Sequence, residues 1–159
     1  MIASIRRNKA VLAIILLLAV TSYFVFTSGS SGSNATLVTA SGRHPIAVEL
    51  ADTPEAREVG LMNRDRMAKD SGMLFDFDES REVTMWMKNT LIPLDMLFLD
   101  HRGLIVRVAA NARPLSLSLI PSNAPVQYVL ELNGGAAARY GAKVGDHLEH
   151  PIITRPNTP

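Results

Sequence analysis

The sequence predicts a mainly β domain, a small sandwich or barrel with two short helices. Most of the chain after residue 35 falls into short runs in which apolar and polar side chains alternate, the period of two that puts one face of a strand on a core. Only two stretches read as helix, and both are too short to cover a parallel sheet. None of the 159 residues is cysteine, so an apolar core rather than a disulfide framework has to hold the fold. An apolar content of 47% beside 19% charge suits one such core.

Taken in order, Leu37 to Ala40 and Ile46 to Leu50 flank Ser41-Gly42-Arg43, and the second run alternates Ile46, Val48 and Leu50 with Ala47 and Glu49. That predicts a hairpin. Thr53 then caps a helix with Pro54 in its first position, running to about Leu61 and carrying Arg57. Asn63 to Gly72 is polar and reads as a loop. Met73, Phe75 and Phe77 mark a strand, Asp78 to Arg81 a turn, and Glu82 to Lys88 the next strand, with Val83, Met85 and Met87 on one face and Thr84, Trp86 and Lys88 on the other. Asn89-Thr90 and Pro93 break the run, and Leu94 to Asp100, apolar on both faces, is expected inside the sheet.

His101-Arg102-Gly103 turns into Leu104 to Ala109, a second hairpin. Asn111 to Asn123 is expected to cross irregularly, with a short extended piece around Leu117 to Ile120. Val126 to Leu132 directs Val126, Tyr128, Leu130 and Leu132 inward and Gln127, Val129 and Glu131 outward. Gly134 to Tyr140 is an alanine-rich turn of helix that Gly141 stops, and Val144-Gly145-Asp146 leads into a last strand at His147 to His150.

The ends carry the address. Arg6, Arg7 and Lys9 precede an uncharged run from Ala10 to Phe26, an export signal that reads as a signal anchor holding the chain to the inner membrane through residues 10–26. Val20 and Ser22 make the alternative, a cleaved signal peptide and a secreted domain, passable. The expected organisation is therefore 1–26 as signal, 27–35 as a Gly/Ser tether, 36–150 as a single domain and 151–159 as a proline-rich tail, with the domain in the periplasm or outside the cell. From residue 35 onward thirteen Lys/Arg face fifteen Asp/Glu, so there is no basic stripe for phosphates and no nucleic acid is expected as partner.

Specific residues also carry a resemblance. Gly60-Leu61-Met62-Asn63-Arg64, Gly72-Met73-Leu74-Phe75, Trp86-Met87-Lys88-Asn89-Thr90, Pro93-Leu94-Asp95-Met96, Pro125-Val126, Tyr128-Val129-Leu130-Glu131 and Gly145-Asp146 occur in the order seen in the exported bacterial and archaeal family known as domain of unknown function 192. From about Ile46 to Glu149 the chain is similar to that family. Met85 stands where an aromatic residue is usual. The resemblance implies a compact, mainly β domain with a jelly-roll-like layout, usually exported, and brings no activity with it.

Three site readings follow from the residues. In the first, Arg57, Trp86, Lys88, Asn89, Thr90 and Asp95 form a binding surface for an envelope small molecule, polymer or protein partner, and Asp95, set between Leu94 and Met96, finds its counter-charge in Lys88. In the second, the domain is an envelope hydrolase with Asp95 or Glu131 as base and Lys88 stabilising an anion. In the third, Met85 and Met87, joined by His44, hold Cu(I); against this, methionine more often fills core gaps. His44, His101, His147 and His150 have no metal-ligand spacing and read as solvated, no cofactor is expected, and catalytic motifs such as Gly-x-Ser-x-Gly or a phosphate loop are absent.

Overall fold

The computed structural model describes residues 33–153. The signal expected over 1–26, most of the tether and the end of the tail lie outside them. Among the described residues no helix is long and apolar enough to cross a membrane.

Nine strands and two short helices are described: β1 (Ser33–Thr39), β2 (Gly42–Ala51), α1 (Pro54–Val59), β3 (Ser71–Arg81), β4 (Thr84–Met85), β5 (Leu94–Leu99), β6 (Ile105–Ala112), β7 (Ile120–Pro121), β8 (Val126–Asn133), α2 (Ala136–Tyr140) and β9 (His147–Glu149). Seven of them make one sheet in the order β6-β5-β8-β3-β2-β1-β9, and β4 pairs with β7 in a separate ribbon. Every pairing is antiparallel except β2 with β3, because α1 and its following loop carry the chain back to the start of the sheet. The sheet curls into a half-barrel whose outer strands meet at one corner, where Leu148 N donates to Gly103 O (2.9 Å) and Ile105 N to Asp146 O (2.8 Å).

Both faces of this sheet are buried. Inside the curl lie Leu37, Ile46, Leu74, Leu97 and Leu130, with Ala137 and Tyr140 of α2 closing one end. On the outer face Met73, Phe75, Met96, Phe98 and Val129 pack under Leu61, Met85 and Met87, which come from the segments between the main strands. Burying each such side chain stabilises the fold by roughly 1.5–3 kcal/mol.

Both predicted hairpins form, Thr53 Oγ1 accepts from Ala56 N (3.1 Å), and Gly141 ends α2 in the left-handed conformation. All six residues of β5 are buried, as expected of a strand apolar on both faces. Other expectations need correction. Asp78 to Arg81 remains part of β3, whose register with β8 shifts between Asp76 and Arg81, so the turn expected there is a bulge. The strand expected over Glu82 to Lys88 pairs only at Thr84–Met85, and β7 is only Ile120–Pro121. Ser33, Asn34 and Ala35 belong to β1 rather than the tether, and Ala35 is buried against β2. The tail begins inside the core: Ile153 is buried and Tyr128 Oη donates to Ile152 O (3.1 Å). The outward face of β8 is outward only from the half-barrel, because the second layer buries Val129 and Glu131.

Candidate functional site

The second layer leaves a cleft of about 110 Å³ over the outer face of the sheet. Its floor is Glu131. Interior strand β8 sets this residue between Met73 of β3 and Met96 of β5, and 3% of its surface is exposed. Its carboxyl has no hydrogen-bond or ion-pair partner among the described residues. Desolvation of the charged form pushes its pKa up from 4.5 to about 8, so at neutral pH it is chiefly the uncharged acid.

The walls come from three parts of the chain. Phe75 and Phe77 rise from β3. The α1 side is fixed by Arg57, which donates through Nη1 to the carbonyls of Asp52 and Asp76, pairs through Nη2 with Asp78 (3.1 Å) and lies 5.8 Å from the Phe77 ring centre. Gly60 ends α1 with φ 48°, and a Cβ there would stand 3.1 Å from the Phe75 ring, so glycine lets the chain turn down onto the sheet. On the opposite side, Met85 faces inward while Trp86 and Lys88 stand at the rim. Trp86 is 44% exposed, and Lys88 Nζ lies 5.0 Å from its ring centre. Thr90 is buried and donates through Oγ1 to Lys88 O (3.3 Å). Asn89 ties this wall to the α1 side by accepting from Asn63 N at its carbonyl (2.8 Å), although its side chain does not line the cleft.

The fold thus brings Arg57, Trp86, Lys88, Thr90 and Glu131 to one cleft and leaves Asp95 out of it. Asp95 points to the other face of β5, fully buried, where Oδ1 accepts from Asn111 N (2.7 Å) and Oδ2 from Ala137 N (2.7 Å). The expected Lys88–Asp95 pair does not form: Asp95 is satisfied by two amides and Lys88 by the Trp86 face. Asp95, Lys88 and Glu131 therefore cannot act as one hydrolytic set. Nor do the soft ligands converge, since Met85 and Met87 are core residues while His44 stacks on Tyr140 (4.8 Å between centres) and has its Nε2 2.9 Å from Ser41 Oγ. No group of three His, Asp or Glu side chains suited to a metal occurs among the described residues. Of the histidines expected in solvent, His150 is buried, with Nε2 2.7 Å from Ser33 Oγ, and burial lowers its pKa.

Sequence reasoning missed the aromatic walls, Phe75 and Phe77, and named Glu131 as an outlying member of the polar candidate and as a conditional base. The available signal was the apolar outer face of the neighbouring strands, Met73, Met96 and Phe98, which requires a covering layer over Glu131 as well.

Two solved structures share the fold. A Sinorhizobium meliloti protein provisionally described as a transcription regulator is 53% identical, with a TM-score of 0.74 over 76% of this chain and 94% of its own. A Novosphingobium aromaticivorans protein of unknown function is 39% identical, with a TM-score of 0.75 over 79% of this chain and 89% of its own. No curated protein matches the sequence. The model of DUF192, an uncharacterized ACR, matches residues 36–150, from the hairpin through the floor of the cleft to the last strand, and the chain belongs to this family.

Proposed function

We propose that the domain is a binding module of the cell envelope whose cleft takes a small molecule or the end group of a larger polymer or protein partner. The observation that carries this reading is Glu131. Its carboxyl opens only into the cleft and has no protein hydrogen-bond partner, so its charged form bears a desolvation cost that a hydrophobic residue packed between Met73 and Met96 would not. Groups that work against the fold are characteristic of functional sites. The volume of about 110 Å³ is smaller than the ~150 Å³ at which an engineered cavity admits benzene, so the cleft suits a compact group. Trp86, exposed at the rim, supplies a stacking face for whatever that group is attached to. The envelope assignment rests on Arg6, Arg7, Lys9 and the apolar run that follows them. The near balance of acids and bases beyond residue 35 speaks against a role on DNA.

Trp86 is the only tryptophan, so its fluorescence reports on the cleft directly. Titration with a panel of amine, alcohol and carboxylate fragments is expected to give a saturable change for at least one, lost in Glu131→Leu. A panel that leaves Trp86 emission unchanged throughout overturns the reading.

A further inference from the structure

The chemistry of the cleft narrows its ligand, if the binding reading above holds. We propose that the group it takes is a primary alkylammonium, whose N–H donors meet the Glu131 carboxylate while its alkyl stem lies along the aromatic and thioether walls towards Trp86.

β8 is paired along its length with β3 on one side and β5 on the other, so its backbone amides are spent in the ladders and none turns into the cleft. The Thr90 hydroxyl is engaged with Lys88 O. An anion entering the cleft would find only the Glu131 acid O–H as a donor at depth and no positive charge there, whereas a donor-rich cation finds an unpartnered carboxyl that can ionise to meet it. The charged groups around it agree. Of the strands packed beside Glu131, β3 and β5 set Met73 and Met96 against it, α1 contributes Arg57 and Glu58, and the rim segment contributes Lys88. Arg57 is tied to Asp78, Arg81 stands over Phe77, and Glu58 and Lys88 contribute one charge of each sign at the margin, which leaves Glu131 as the buried ionisable group a ligand can answer. The walls suit a cation too: Phe77 already holds Arg57 and Arg81 over its ring, at 5.8 and 5.2 Å from the centre, and the faces of Phe75 and Trp86 are electron-rich as well. Lys88 already demonstrates this within the chain, its own ammonium lying 5.0 Å from the Trp86 ring centre.

Association is then coupled to a proton. In the empty cleft Glu131 is largely protonated at neutral pH; when the ammonium enters, the acid ionises and releases one proton to solvent, and carboxylate and cation neutralise each other.

The test follows the Glu131 side-chain carboxyl by ¹³C NMR across a pH titration of the domain, alone and with saturating n-butylammonium, n-butanol or butyrate. n-Butylammonium is expected to bind with a Kd of about millimolar, as its few atoms allow, and to lower the Glu131 midpoint by about 1–3 pH units. Glu131→Gln should weaken n-butylammonium binding more than tenfold while leaving n-butanol binding little changed, and Lys88→Met should strengthen it by removing the internal competitor. Replacing n-butylammonium by Nα-acetyl-lysine methylamide separates the sources of the amine: tighter binding of the peptide-borne amine assigns a lysine of a protein partner, and tighter binding of n-butylammonium assigns a free amine. If n-butanol or butyrate occupies the cleft while n-butylammonium does not, the binding module stands and the ammonium proposal fails. If none of these probes moves the Glu131 or Trp86 signals, both fail.

Discussion

Replacing Glu131 with glutamine should change how stability depends on pH, in a direction the structure fixes. In the unfolded chain this carboxyl titrates near 4.5 and in the folded chain at about 8. Below the first value both states are protonated and nothing is lost. Between the two, the folded state still holds a proton the unfolded state has released, so stability falls as pH rises, by about 1.4 kcal/mol per pH unit. Above about 8 the loss is complete, and over the window from 4.5 it reaches on the order of 5 kcal/mol. For a domain of this size that is a large part of a total of roughly 5–15 kcal/mol. Glutamine fills the same space and does not titrate. Urea denaturation of parent and Glu131→Gln at intervals between about pH 5 and about pH 9 isolates the effect, since other titrating groups cancel in the difference. The variant should gain several kcal/mol on the parent as pH rises. A difference that stays flat, or that moves the other way, refutes the burial argument.

Asp95→Asn keeps one acceptor oxygen and turns an NH2 towards the second of the two amides now bound, which should cost on the order of 3 kcal/mol, whereas Lys88→Met should change stability by less than about 1 kcal/mol. Denaturation of the single and double variants should show additivity; a coupling well above 0.5 kcal/mol would restore a Lys88–Asp95 pair. Gly72→Ala places a Cβ 2.5 Å from the Glu131 carbonyl oxygen and 2.9 Å from Leu132 Cδ2. Because the first neighbour is backbone, the cost should lie at the upper end of the ~1–3 kcal/mol typical of overpacking, read as a fall in Tm, and an unchanged Tm would contradict the register of β3 with β8.

The elements were legible in the sequence where local chemistry decides them. Thr53-Pro54 starts a helix and Gly141 stops one by rules that need no tertiary partner. Alternation likewise found both hairpins. What it could not settle is which faces are covered. Period two assigns Glu131 to the face opposite Leu130, but only the arrival of Leu61, Met85 and Met87 from elsewhere makes that face interior. The Lys88–Asp95 pair failed for a related reason. Proximity in sequence suggested it, yet Asp95 faces into the half-barrel while Lys88 stands on the layer covering the opposite side. The candidate site was thus half legible: its rim was found from unusual composition, and its floor was mistaken for surface.

In the proposed binding module, that layered arrangement would divide the labour of recognition. The floor and the two phenylalanines belong to strands held by hydrogen-bonded neighbours, while the rest of the wall belongs to the short helix α1, the stretch after it and the region around β4. Segments of the second kind accept substitutions and changes of length far more readily than a central strand does. Selection can therefore reshape the entrance while the buried acid and the sheet beneath it persist. Diversification within such a scaffold would show first in the span from Arg57 to Met62 and in the neighbourhood of Trp86, long before it touched Glu131.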